Sequence, residues 1–127
     1  MIVGTGIDLV EIQRIHQSVE RYGKRFLRRV YTAAEQAYCL RKKNASESLA
    51  ARFAAKEAAA KALGTGMSHG VTWVEIEVVR EPSGRPTIAF HGRAREIANR
   101  LGVQSTALSL THTRDLAVAS VVLEGGR

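Results

Sequence analysis

The chain has 127 residues, which suits one domain over 1–127, large enough to bury a core and too small to divide. It has no run of the roughly 20 apolar residues that cross a bilayer, and its single Cys39 excludes an internal disulfide and a cysteine-rich metal site. The net charge is +7 and uneven: between Gln13 and Lys43 nine Lys or Arg meet two Glu, while the remaining residues carry ten of each sign.

A lone cysteine fits a reducing cytoplasm. A basic surface confined to one segment suggests an acidic partner, whether nucleic acid, anionic lipid or acidic protein; a solvated face kept basic for solubility is the plainer alternative. The opening MIVGTGIDL has neither the basic segment nor the long apolar stretch of a signal peptide.

Ile2–Leu9 is apolar and β-branched, which predicts a strand, and its Gly4 and Gly6 allow another backbone to come close. Gly4-Thr5-Gly6 lacks the spacing of a nucleotide-binding glycine loop. Asp8 ends the predicted strand with Glu11 three residues on, so helix capping competes with a metal-ligand role for Asp8. Ile12, Ile15, Val19 and Tyr22 follow helical spacing up to Gly23, and a short helical piece carries Phe26, Leu27 and Val30 among arginines. Thr32-Ala33-Ala34-Glu35 is a capping box that opens a helix to about Leu40. Tyr22, Tyr31 and Tyr38 sit on apolar spacing and are assigned to the core.

Leu49–Gly66 is the strongest helix former: eight of the fourteen residues from Leu49 to Ala62 are Ala. Asn44 and Glu47 form its expected N-terminal box, and Gly64 stands where a left-handed terminating residue is wanted. Phe53, Glu57, Ala60, Lys61 and Gly64 share one face. Glu57 and Lys61 alone read as an exposed i, i+4 pair worth about 0.2–0.5 kcal/mol, yet so much Ala indicates a helix packed on several sides.

Beyond it the period falls to 2. Thr72–Val79 is an expected strand, Pro82–Pro86 a turn, Thr87–Phe90 a short strand, Gly92–Gly102 an amphipathic helix with Ile97 and Leu101 inward, and Val103–His112 and Leu116–Leu123 two strands joined by a turn at Thr113–Asp115. The pattern is α+β, with helices packed on one face of a mostly antiparallel sheet.

GIDLVEI at Gly6–Ile12, RFAAKEAAAKALGTG at Arg52–Gly66, GRP at Gly84–Pro86 and SLTH at Ser109–His112 together resemble the bacterial holo-acyl-carrier-protein synthases, the small type of 4′-phosphopantetheinyl transferase. The likeness covers essentially the whole chain. It implies transfer of phosphopantetheine from coenzyme A to a serine of an acidic apo-acyl carrier protein, in support of fatty acid biosynthesis, with release of adenosine 3′,5′-bisphosphate. It further implies Mg²⁺ held by Asp8 and Glu57, with Lys61 beside them on the pyrophosphate. Mg²⁺ suits two carboxylates with waters and phosphate oxygens completing its shell. By the same resemblance Arg52, Lys61, Gly64, Gly66, Arg85, Pro86, Thr111 and His112 hold the coenzyme, with the 3′-phosphate falling to Arg85 and His112, and Arg14, Arg21, Lys24, Arg25 and Arg28 receive the carrier protein. His16, His69 and His91 match no motif. The proton acceptor for the serine stays open between a metal-bound water, Glu57 and another carboxylate.

Larger relatives resemble two copies of such a fold with the coenzyme between them, so a half-sized chain is expected to work as a homotrimer with sites between subunits. The alternative from another class is a basic α+β nucleic-acid-binding module. It would put the same arginines on phosphates, but it leaves Asp8 and Glu57 as liabilities.

Overall fold

The structure, a computed structural model, describes Met1–Gly126. Its elements run β1 (Ile2–Glu11), α1 (Ile12–Tyr22), α2 (Lys24–Val30), α3 (Ala33–Leu40), α4 (Ala45–Leu63), β2 (Ile76–Arg80), β3 (Pro86–Phe90), α5 (Gly92–Leu101), β4 (Val103–His112) and β5 (Leu116–Gly125). The fold is α+β, as expected. Its strands form two antiparallel sheets, a three-stranded one in the order β1-β5-β4 and a separate β2-β3 hairpin.

The large sheet carries α4 on one face, and the alternation of its strands states which side chains meet the helix. Ala117, Ala119, Val121 and Leu123 of β5 and Leu108 of β4 are buried against it, as are Ala54, Ala55, Ala58 and Ala59 of α4. On β1 the facing residues are Gly4, Gly6, Asp8 and Val10. A Cβ on Gly4 would stand 2.0 Å from the Ala62 carbonyl oxygen, and one on Gly6 1.9 Å from that of Ala58. Glycine is therefore required there by the backbone approach itself. The other face of the sheet is open: Ile7 is 65% exposed and Leu9 58%, with Val118 and Val122 half-buried beside them.

Several local expectations are corrected. β1 does not end at Asp8: pairing with β5 carries it to Glu11, so the Asp8–Glu11 cap does not form, and α1 starts after Glu11 without a side-chain cap. The expected strand from Thr72 opens as a 3₁₀ turn over Trp73–Glu75, because Glu75 folds back on the Thr72 N–H in a capping box. At the start of α4, Asn44 Oδ1 accepts from the Glu47 N–H, but Glu47 turns to the Asn44 amide rather than to its backbone. Leu101, expected inward, is 40% exposed in the last turn of α5. Of the tyrosines only Tyr31 is in the core, donating to the Leu49 carbonyl at 2.8 Å. Tyr22 lies 51% exposed and Tyr38 half-buried, each beneath basic side chains that shield the ring without removing it from the surface.

On the side of α4 away from β1, Lys56 is fully buried and paired with buried Glu35 of α3. Lys56 Nζ donates to Glu35 Oε1 at 2.6 Å, to the Ile76 carbonyl at 2.7 Å and to the Trp73 carbonyl at 3.1 Å. Glu35 also accepts from the backbone of Thr32 at 2.9 Å and of Val78 at 2.8 Å. Burial pulls the Lys56 pKa down, and the Glu35 charge opposes that pull. The pair joins α3, α4 and β2 through bonds that occupy every charged oxygen and all three ammonium hydrogens.

Breaking a buried pair from one side leaves an uncompensated charge. Lys56→Met should therefore cost about 3–5 kcal/mol by urea denaturation, and adding Glu35→Gln, which removes that charge while keeping acceptor oxygen, should recover a large share. A single Lys56→Met change costing less than about 1 kcal/mol would show that the pair carries little of the packing.

Candidate active site

Because Asp8 follows Gly4 and Gly6 on the same face of β1, the close strand–helix approach brings its carboxylate to the exposed edge of α4. Lys61 reaches across from the helix, and its Nζ donates to Asp8 Oδ1 and to the Ile7 carbonyl, each at 3.0 Å. The i, i+4 neighbour Glu57 is thus not the ion-pair partner of Lys61; Asp8 is. Glu57 is half-buried on the same edge, and its pKa is raised, first by burial and then by the Asp8 charge, with Lys61 and Arg14 pulling the other way. Asp8, Glu57 and Lys61, forecast as one cluster, are one cluster.

Two carboxylates that press on one another in this way, with one ammonium between strand and helix, suit a hard cation that keeps part of its water shell. Among the described residues there is no gathering of three or more His, Cys, Asp or Glu that would encage a metal. The donor set fits Mg²⁺ and does not fit a structural zinc.

Gly64 and Gly66 follow α4 in left-handed conformations, φ +83° and +59°, with open space where a Cβ would project. They close the helix through N–H bonds back to the Ala60 and Lys61 carbonyls, at the end of the helix that bears Lys61.

Arg52, Thr111 and His112 come together in a second place, a groove of about 370 Å³ also lined by Tyr38, Lys42, Lys43, Glu47 and Arg80. Arg52 is 4% exposed; its Nη1 donates to Ser48 Oγ at 3.4 Å, and its Nε has no partner. His112 Nε2 lies 3.4 Å from Glu47 Oε1. Sequence reasoning missed Lys42, Lys43 and Arg80 here, since only the fold carries the end of α3 and of β2 to the His112 strand.

Arg85 and Pro86 lie elsewhere, lining a polar groove with Thr87, Arg95, Asn99 and Glu124. Within one chain they do not share a groove with Thr111 and His112.

Arg14, Arg21, Lys24, Arg25 and Arg28 are all exposed. Arg14 and Arg25 flank a groove of about 400 Å³ floored by Ile15, Tyr22, Phe26, Phe53 and Trp73. In that floor Phe53 and Trp73 stack with centroids 4.7 Å apart. His16 pairs with Glu20, His91 with Glu77, and His69 with Ser68, which accounts for three histidines that no motif claimed.

Residues 4–121 match the 4′-phosphopantetheinyl transferase superfamily. The chain is 61% identical over 124 residues to a holo-[acyl-carrier-protein] synthase of Koribacter versatilis, covering 98% of this chain and 99% of the relative. It is 55% identical, at the same coverage, to the protein of that name from Solibacter usitatus. Among solved structures, the Neisseria meningitidis holo-[acyl-carrier-protein] synthase superposes with a TM-score of 0.89 at 32% identity, over 98% of this chain and 99% of that one. The Helicobacter pylori synthase in complex with coenzyme A gives 0.83 at 33% identity, over 94% and 99%. With the Asp8–Glu57–Lys61 cluster formed where β1 meets α4 and the match running almost end to end, the chain belongs to the 4′-phosphopantetheinyl transferase superfamily.

Proposed function

We propose that the chain is a Mg²⁺-dependent holo-[acyl-carrier-protein] synthase, a single-domain cytoplasmic enzyme. It moves 4′-phosphopantetheine from coenzyme A to a serine hydroxyl of an apo-acyl carrier protein of fatty acid biosynthesis and releases adenosine 3′,5′-bisphosphate. The observation that carries this reading is the cluster of Asp8, Glu57 and Lys61 in a chain of this family.

The serine hydroxyl gives its proton to a base of the site, whether Glu57, another carboxylate or a water, as its oxygen attacks the phosphorus that bears pantetheine; the bond to the bridging oxygen breaks, and the bisphosphate leaves with that bond's electron pair. Asp8 and Glu57 would hold Mg²⁺, which when bound would supply positive charge to a bound pyrophosphate. Lys61, half-exposed and tethered to strand β1, brings an ammonium to the same oxygens from the next turn of the helix. The open backbone at Gly64 and Gly66 lets the coenzyme pass close to the helix end. Arg52, Thr111 and His112 take the 3′-phosphate and adenosine in the cationic groove.

Arg85 and Pro86 serve the same coenzyme from a neighbouring subunit. The working unit on this reading is a homotrimer: the uncovered face with Ile7, Leu9, Val118 and Val122 needs a partner, and a closed three-fold ring lets every copy give and receive the same contact. The carrier protein docks on Arg14, Arg21, Lys24, Arg25 and Arg28, its acidic residues meeting the arginines and its apolar ones the floor between Tyr22 and Trp73.

Asp8→Ala and Glu57→Ala should each abolish the pantetheine mass increment on an apo carrier protein incubated with coenzyme A and Mg²⁺, with circular dichroism unchanged. Full turnover by both variants would refute the metal assignment. Lys61→Ala should lose most of its turnover, and excess Mg²⁺ should restore little. Charge reversal at Arg14, Arg21 or Arg25 should raise the carrier KM several-fold and leave the coenzyme KM alone, and added salt should mimic it through screening; parallel movement of both KM values would mean that the segment serves the nucleotide. Mixing Asp8→Ala with Arg85→Ala subunits should regenerate some active sites. An active monomer by sedimentation, or no recovery after proven subunit exchange, would overturn the shared site.

A further inference from the structure

The cationic groove gathers charges that should repel one another, and what lies among them is an aromatic ring. Arg52 Cζ stands 4.1 Å from the centroid of Tyr38, Lys42 Nζ 4.4 Å and Arg80 Cζ 4.8 Å. Arg41 approaches the same ring at 5.7 Å. A tyrosine face attracts cations through its quadrupole, and such contacts strengthen where water is thin. Arg52 is nearly buried, with its Nε unpartnered. Arg80 does a second thing: its guanidinium donates to the carbonyl of Gly84, in the turn that leads to Arg85. Burial raises the pKa of the Tyr38 hydroxyl, but the neighbouring Lys42, Arg80 and Arg52 lower it by more.

We propose that Tyr38 is a positioning residue for anion binding in this groove: its ring holds Arg52, Lys42 and Arg80 converged before a phosphate arrives, and through Arg80 it fixes the turn before Arg85. The inference rests on the reading of the groove as the site of the coenzyme's 3′-phosphate. Without the ring, three like charges spread into solvent and must be collected again when the phosphate binds, which weakens binding without altering the chemical step. The ring itself touches no reacting atom.

The test compares Tyr38→Leu with Tyr38→Phe. The leucine variant should raise the coenzyme A KM about tenfold, the size of two or three lost cation–π contacts, while kcat and the carrier KM hold. The phenylalanine variant keeps the ring and should stay within about twofold of the native value. With 3′-dephospho-coenzyme A as donor, the leucine and native proteins should have the same KM, a result that general loosening of the fold would not give. Calorimetric titration with adenosine 3′,5′-bisphosphate should repeat the pattern without turnover. Equal KM values for the leucine and phenylalanine variants, an equal loss with both donors, or a phenylalanine variant as weak as leucine would overturn the role of the ring and leave the coenzyme site standing. A native protein that binds coenzyme A and its dephospho form equally well would overturn the assignment of the 3′-phosphate to the groove, and the proposal with it.

Discussion

The structure depends on one close contact, the passage of β1 over α4 at glycine distance. The Ala58 and Ala62 carbonyls lie where side chains on Gly6 and Gly4 would be. The strand therefore sits deeper on the helix than any residue with a Cβ allows, and the next inward residue, Asp8, comes within 3.0 Å of Lys61 Nζ. A strand held further out would leave Asp8 in solvent and Glu57 facing no second carboxylate. Alanine on the helix and glycine on the strand are thus requirements of the site as much as of the core.

Depth alone does not fix which way α4 faces. Lys56 and Glu57 are adjacent, about 100° apart around the helix axis, and they have opposite fates. Lys56 is locked inward by Glu35 and two carbonyls of the segment entering β2. With that side held, the helix cannot roll, and Glu57 stays on the edge shared with Asp8 and Lys61. A buried ion pair is weak evidence for stability, but three directed hydrogen bonds from one ammonium are strong evidence for orientation, which a hydrocarbon of the same volume would not supply.

The parts of this arrangement that were legible in the sequence are those decided locally. The alanine-rich helix, its Asn44 start and Gly64 stop, the Thr32 box, the two glycines of β1 and the turn at Thr113 each follow from a few neighbouring residues, and each is found. The failures are tertiary. Pairing with β5 extends β1 past Asp8 and removes its capping role. Helical spacing puts Tyr22 on an apolar stripe, yet there it lines the floor of an open groove. Glu35 reads as a cap and is one, but nothing nearby in sequence announces that the same carboxylate meets Lys56. The site divides in the same way: Glu57 and Lys61 share a helix and could be paired on sight, whereas Lys42 and Arg80 join His112 only through the fold.

The division of the coenzyme residues has a physical consequence that links assembly to chemistry. Side chains alternate along β1, so the residues that face α4 and those that face outward are interleaved: Gly6 and Asp8 point to the helix, Ile7 and Leu9 away from it. Lys61 spans both sets, since its ammonium bonds the Asp8 carboxylate and the Ile7 carbonyl, and it lines a shallow groove with Thr5, Gly6, Ile7 and Ser120. Any subunit that covers Ile7 and Leu9 must therefore come close to Lys61 and shed water from around it. Removing water strengthens the pull of an ammonium on a pyrophosphate and of the two carboxylates on a cation. On the trimeric reading, the burial that drives association and the electrostatics that drive transfer act on opposite faces of one strand. A neighbour that brings Arg85 and Pro86 would complete both at once, and a separated chain would keep its fold while losing the environment in which its charges act strongly.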